Sequence, residues 1–279
     1  MNTKSLRVAS AAVIGARHTR DARNGQDAAT AWCDGNRAAI VVCDGCGSGA
    51  SSEVGARLGA RAVLGAITAR LAAVTMPTPE EGASRPSSAN ACSVDAEFWT
   101  GVRAEVVAFL GYVARQLPGA MEDVVHDFLL FTIVAAVVVD DTAYVWAIGD
   151  GAYAIDGVAR ELGPFANNQP PYIAYDLIGT PAKAHVETAR LCTSVIIATD
   201  GVAEMRANDQ LAVARISRDP AAFVANPDAL RRYLAKQAKS DERIDWATQR
   251  VIRTPAHLQD DGAIGLIVRE PTDDERSWS

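Results

Sequence analysis

TIVAAVVVDDTAYVWAIGDGAYAIDGVARELG, residues 132–163, decides the fold. Apolar, β-branched stretches follow one another here, and the links between them are only Asp140-Asp141, Gly149-Asp150-Gly151 and Asp156-Gly157. Such side chains suit a buried pleated surface, and Asp-Gly suits a tight turn. Parallel neighbours need a crossover of a dozen or more residues, so links this short predict one continuous antiparallel meander and exclude a doubly wound sheet. The apolar run that opens it, Phe128 to Val139, is far shorter than the roughly 20 residues of a membrane helix and reads as a buried strand.

The same grammar recurs along the chain. RAAIVVCDG (37–45) and SVIIATDG (194–201) are apolar runs that stop at Asp-Gly, and GAIGLIV (262–268) starts just after Asp260-Asp261. Between the strand blocks lie helical stretches. SSEVGARLGARAVLGAITARLAAV (51–74) has Ser51 or Ser52 to cap it and Glu53 in its first turn, with Gly55 and Gly59 on one face for close packing. AEFWTGVRAEVVAFLGYVARQL (96–117) is stopped by Pro118-Gly119, and further helices are expected between 219 and 252. Blocks of helix alternating with blocks of antiparallel strand predict an α+β architecture, helices layered on sheets. No repeat or linker divides the chain, so residues 1–279 are expected to form a single domain. It carries a flexible Pro- and Ser-rich loop at 75–95 and a flap-like segment at 163–181, whose four prolines accompany Phe165, Tyr172 and Tyr175.

Composition sets the outer bounds. With 49% hydrophobic and 22% charged residues the chain is that of an ordinary globular protein. A net charge of −7 offers no broad positive field to phosphate backbones or anionic lipid, so neither nucleic acid nor a membrane is expected as a partner. Five cysteines, at 33, 43, 46, 92 and 192, are odd in number and lack framework spacing, which favours a reducing, cytoplasmic location. The opening MNTKSLRVASAAVIGAR imitates a signal peptide with Lys4 and Arg7, yet its apolar run is broken by Ser10 and ends at Arg17-His18 without a clear cleavage site.

Separate strand ends each deliver an aspartate: Asp44, Asp150, Asp200, and Asp260 with Asp261, while Asp27 precedes a strand in NGQDAATAW. One Asp-Gly, such as Asp34-Gly35 or Asp156-Gly157, is a turn; several at the mouths of buried strands suggest a shared site. Gathered carboxylates repel and raise one another's pKa, so such a cluster needs a cation, for which Mg²⁺ or Mn²⁺ is the hard, oxygen-seeking candidate. Gly45, lacking a side chain, lets a backbone carbonyl approach the ion. Two ions about 4 Å apart can hold and acidify a water between them and aim it at phosphorus. Turn chemistry and helix caps are the competing explanation of the same pairs. Cys43 and Cys46 stand at C-x-x-C spacing, but Cys43 ends a buried run and no second pair completes a zinc site. The histidines at 18, 126, 185 and 257 show no zinc spacing, and no serine sits in a G-x-S-x-G elbow.

The order NGQD (24–27), CDGCGS (43–48), IGDG (148–151), ATDGVAEM (198–205) and DDGAIGLIV (260–268) resembles the PPM, or PP2C-type, metal-dependent serine/threonine protein phosphatases. GARHTRDARNGQDA (15–28) is similar to the opening of their bacterial branch, and the resemblance runs from about residue 8 to 268. It implies a four-layer αββα sandwich, two antiparallel β-sheets flanked by helices, with a two-ion Mg or Mn centre at one end. By motif, Asp44 would bridge both ions, Gly45 would lend its carbonyl to one, Asp200 and Asp260 would bind the other, and Asp27 would orient a metal-bound water. Asp150 and Glu204 match positions that hold a third ion in some relatives, and Arg20 or Arg23 would bind the substrate phosphate. The implied substrate is a protein carrying phosphoserine or phosphothreonine, in signalling that opposes a Ser/Thr kinase. Gln26 stands where many members have glutamate, which removes one negative charge. The alternative is therefore a phosphatase-like binding or regulatory module with weak or no turnover.

Overall fold

The computed structural model describes residues 5–73, 94–191, 193–205 and 210–270. The chain begins with β1 (Leu6–Val13), α1 (Ala16–Arg20), β2 (Ala28–Cys33), β3 (Arg37–Gly45) and the long helices α2 (Ser52–Ala73) and α3 (Ala96–Ala114). A short α4 (Met121–Val124) runs through a π-helical turn, Val125–Leu129, into β4 (Phe131–Val139), β5 (Thr142–Ile148), β6 (Gly151–Ile155) and β7 (Val158–Leu162). There follow β8 (His185–Arg190), β9 (Ser194–Ala198), α5 (Asp200–Ala203), α6 (Ala212–Ile216), α7 (Ala221–Val224) and α8 (Ala229–Gln237). The last strands are β10 (Asp241–Asp245), β11 (Arg250–Thr254) and β12 (Gly262–Arg269).

Two five-stranded antiparallel sheets form the body, one in the order β1-β12-β9-β6-β7 and the other β2-β3-β4-β5-β8. Side chains alternate faces along a strand, and β3 shows why its whole run is apolar. Ala39, Val41 and Cys43 meet α2 and α3 on the outer side, while Ala38, Ile40 and Val42 meet Val195, Ile197 and Ile267 of the other sheet. A third apolar layer packs Ile196, Ile264 and Leu266 against Val202, Ile216, Leu230 and Leu234 of the later helices. The architecture is thus the αββα sandwich, with one apolar layer at each of three interfaces. Fully burying each Val or Ile contributes about 1.5–3 kcal/mol. Gly55 and Gly59 of α2 allow the close approach that their spacing suggests: a Cβ would lie 2.2 Å from the Phe128 carbonyl and 2.2 Å from the Phe131 ring, respectively.

One expectation is corrected. The segment 132–163 is not one meander: β4 and β5 are a hairpin in one sheet, β6 and β7 a hairpin in the other, and the chain changes sheets at Gly149-Asp150-Gly151. The change is sharp because Gly149 (φ 98°) and Gly151 (φ 131°) adopt backbone conformations that L side chains resist. The helices expected between 219 and 252 are α7 and α8, and residues from Asp241 to Thr254 add a separate β10–β11 hairpin, exposed along nearly all its length. Of the loop expected at 75–95, residues up to 93 lie outside the described set, Val94 is buried, and the Asp95 side chain caps α3 by accepting from the amides of Glu97 and Phe98. Among the described residues no helix is long and apolar enough to cross a membrane.

Candidate metal centre

Antiparallel pairing brings the informative strand ends to one end of the sandwich. Asp44, near the end of β3, stands opposite Thr132 at the start of β4, and Asp27 immediately precedes Ala28, which pairs with Cys43. Asp200 follows β9, Asp260 precedes β12, and Asp150 occupies the corner where the chain changes sheets. Asp27, Asp44, Gly45, Asp150, Asp200 and Asp260 all line one cavity of about 420 Å³. Glu204 is exposed at the end of α5, beside Asp200 and Asp260.

Three carboxyl groups stand in series, with Asp44 close enough to both Asp27 and Asp200 for each to act on its protonation. Burial, the largest cause, pushes Asp27 up to about 8 against the lowering hydrogen bonds of Thr199 and Asp44; the charges of Asp261 and Asp200 add to the rise. Asp44 is raised well above the ordinary carboxylate range by burial and then by Asp27 and Asp200. Asp150 rises to about 6 through burial and the charges of Asp200 and Glu204, and Glu204 also rises, through burial and then Asp200 and Asp260. Carboxyl groups this close hold together either by sharing protons or around a cation. The donor set is all oxygen, which fits Mg²⁺ or Mn²⁺.

Buried polar ties fix these groups in place. Thr199 donates its hydroxyl to Asp27 Oδ2 at 2.6 Å and accepts from the Ala263 amide at 2.9 Å, joining the first strand of one sheet to the end of the other. Asp261, 3% exposed, accepts from Gly15 N (2.8 Å), Gln26 N (2.6 Å) and His18 Nδ1 (2.8 Å). His18, Asp260 and Asp261 offer ligand atoms within 4.8 Å of one another; His18 Nδ1 is bonded to Asp261, and His18 Nε2 lies 3.7 Å from Asp260 Oδ1. The Gln26 amide donates to Ser52 Oγ at 2.8 Å and to the Cys46 carbonyl at 3.5 Å, which leaves its oxygen as a neutral acceptor on the cavity wall. Gly45 is wedged between the backbones of Gln26 and Ser52, where a Cβ would come within 3.0 and 2.9 Å of their carbonyl oxygens.

The arginines divide. Arg23 lines the cavity and donates to the Gly47 carbonyl at 3.2 Å, whereas Arg20 is turned outward onto Asp21, away from the lining residues. Arg17, which spacing did not single out, lines the cavity and pairs with Asp260. Segment 163–181 closes one side: Pro170 and Tyr172 are in the wall, Ile173 and Ala174 are buried, and Asp176 is held by two bonds from Arg103 of α3 at 2.7 and 2.6 Å. Cys43 is fully buried and its pKa rises by desolvation. Cys46 lines the cavity, and although burial raises its pKa, hydrogen bonds with Ser48 and Tyr172 outweigh it and bring it below the usual thiol value. Sequence spacing assigns no role to Arg17, Thr199, Asp261 or His18, whereas Tyr172 is one of the aromatics from which the flap-like segment is read. The adjacent acidic pair 260–261 is the one signal available for Asp261.

A family model described as protein phosphatase 2C matches residues 14–240. Among solved structures, a serine/threonine phosphatase of S. agalactiae superposes with a TM-score of 0.57 at 12% identity, covering 95% of this chain and 100% of that one. A serine/threonine phosphatase from Staphylococcus aureus gives 0.57 at 14% identity, with 95% and 96% covered. PppA, described as a key regulatory component of T6SS in Pseudomonas aeruginosa, gives 0.57 at 14%, with 96% and 98% covered. At these identities the likeness is one of fold. No curated protein matches the chain.

Proposed function

Because the chain belongs to the protein phosphatase 2C family, and with it to the protein-serine/threonine phosphatases, we propose that it hydrolyses phosphoserine and phosphothreonine on proteins through a dinuclear Mg or Mn centre. The observation that carries this reading is the Asp27–Asp44–Asp200 series of carboxyls in a cavity shared with Asp260 and two arginines. Asp44, the Gly45 carbonyl, the Gln26 oxygen, Asp200 and Asp260 would hold the two ions, and Asp27 would orient a water. Asp150 and Glu204 would serve a third ion. Bound there, the ions would supply an acidified water and neutralise charge on the phosphoryl group.

The chain's own residues do the rest. Arg23, which lines the cavity, would bind phosphoryl oxygens rather than Arg20, and Arg17, also in the lining, pairs with Asp260. Thr199 and Asp261 hold Asp27 and its neighbours in position, and Tyr172 with Pro170 shields one side of the cavity from water. Cys33, Cys43 and Cys46 are unpaired thiols, in keeping with a reducing cytoplasm and with substrates made there by a Ser/Thr kinase. The weak-turnover alternative rests on Gln26, whose side chain is fastened with its oxygen available rather than swung away.

The test is hydrolysis of p-nitrophenyl phosphate and of a phosphothreonine peptide by the purified chain with Mn²⁺. Activity should vanish in EDTA and fall at least about a hundredfold in Asp44→Asn. Calorimetric Mn²⁺ binding without turnover would favour the regulatory module, and absence of binding would refute the centre.

A further inference from the structure

A second cavity, about 410 Å³, lies against the first, with Asp27 in the lining of both. Its walls include Ala12 and Val13 from the end of β1, Ile14 just beyond it, and Ala28, Ala29 and Thr30 from β2. Successive residues of a strand point to opposite faces, so three in a row can line one groove only along the strand's edge. Among the described residues both are edge strands, since β1 pairs only with β12 and β2 only with β3. The groove therefore presents unpaired main-chain N–H and C=O groups beside an apolar floor. On its rim stand Arg57 and Arg61, four residues apart on one face of α2. Arg57 donates to the Gly25 carbonyl at 3.3 Å, and neither arginine has an acidic partner among the described residues. In a chain of net charge −7, two such arginines at the rim of a groove adjoining the aspartate cavity form a local positive site.

We propose that this groove docks an extended, acidic segment next to the phosphoresidue of the substrate, by edge-strand pairing and by the two arginines. The pairing supplies sequence-tolerant affinity, and Arg57 and Arg61 supply the preference for carboxylates. The inference takes from the phosphatase reading the identity of the segment's owner, but binding tests it separately.

The experiment compares phosphothreonine peptides flanked by glutamate, glutamine or lysine, read by fluorescence anisotropy in EDTA and by phosphate release with Mn²⁺, on the full chain. Glutamate flanks should bind about five- to tenfold more tightly than glutamine flanks. That ratio should fall to about one in R57A/R61A and reverse toward lysine flanks in R57E/R61E, a gain that misfolding could not produce. Methylating alternate backbone nitrogens of the glutamate peptide should weaken it severalfold. A wild type indifferent to flanking charge, a preference surviving both double variants, or no effect of N-methylation overturns the proposal. Arginine-dependent binding without phosphate release would leave the docking intact and sink the phosphatase reading instead.

Discussion

Asp261→Asn tests whether a buried carboxylate organises the end of the sandwich. Its two oxygens receive three donors, Gly15 N at 2.8 Å on one and His18 Nδ1 at 2.8 Å with Gln26 N at 2.6 Å on the other. An asparagine keeps one oxygen and turns an NH₂ toward a donor, so at least one buried N–H is orphaned and the amide's own hydrogens meet a donor. Each orphaned buried group costs about 1–3 kcal/mol, which places the loss at about 3 kcal/mol. For a chain of this size each kcal/mol lowers Tm by about 2–4 °C, so a fall of about 6–12 °C is expected in a circular-dichroism melt. Because the same three donors flank Arg17 and Asp27, p-nitrophenyl phosphate hydrolysis should drop about tenfold or more. Asp228→Asn, on an exposed side chain paired with Arg231, is the control and should leave Tm unchanged. An Asp261→Asn melt within about 2 °C of the control would refute the reasoning.

Metal-free protein should lose stability as pH rises. Asp27 and Asp150 have folded pKa values of about 8 and about 6, above the ordinary carboxylate value, so the fold binds these protons more tightly than the unfolded chain does. Their contribution is full below about pH 4 and is lost as pH passes through 6 and then 8. In EDTA, Tm should therefore fall between pH 5.5 and 8.5, and saturating Mn²⁺ should flatten that slope; a metal-free Tm that climbs over the window contradicts the electrostatics. In α2, Gly55→Ala should cost about 3 kcal/mol by urea unfolding, since its Cβ would sit 2.2 Å from the Phe128 carbonyl. Gly65→Ala, with nothing within 4 Å of the new methyl, should gain about 1 kcal/mol, and equal effects at the two sites would discredit the packing argument.

Strands buried on both faces are legible because their interiors are unbroken apolar runs: β3, β4, β9 and β12 fall close to the runs read from sequence. Strands with a wet face are not. HVETAR of β8 and DERID and RVIRT of the β10–β11 hairpin are largely exposed, carry no apolar period, and give composition nothing to act on. Link length correctly excludes parallel neighbours but cannot say which sheet the next strand joins. Gly-Asp-Gly serves equally for a hairpin turn and for the corner at 149–151, where the positive φ values belong to a crossing. The gathering of strand-end aspartates is legible because Asp must stand at a strand mouth to meet its neighbours. The choice among arginines is not, because each residue of the five-residue α1 turns the next side chain by about 100°, and spacing alone cannot tell Arg17 from Arg20.

Each sheet supplies two of these cavity aspartates, and this division explains why the site needs buried ties. Asp27 and Asp44 belong to the sheet of β2 and β3, whereas Asp200 and Asp260 flank β9 and β12 of the other. Mutual repulsion among ionised carboxylates therefore acts across the sandwich and tends to part its layers at this end. Opposing it are the Thr199–Asp27 bond and the Asp261 bond to Gln26, each of which runs from one sheet to the other. The apolar layer of Ile40, Val42, Ile197 and Ile267 acts behind them. Cations held between Asp44 and Asp200 would turn the same repulsion into a bridge between layers. On that logic, metal binding and closure of the sandwich end are a single equilibrium, and any variant that loosens Thr199 or Asp261 should weaken Mn²⁺ affinity without touching a ligand.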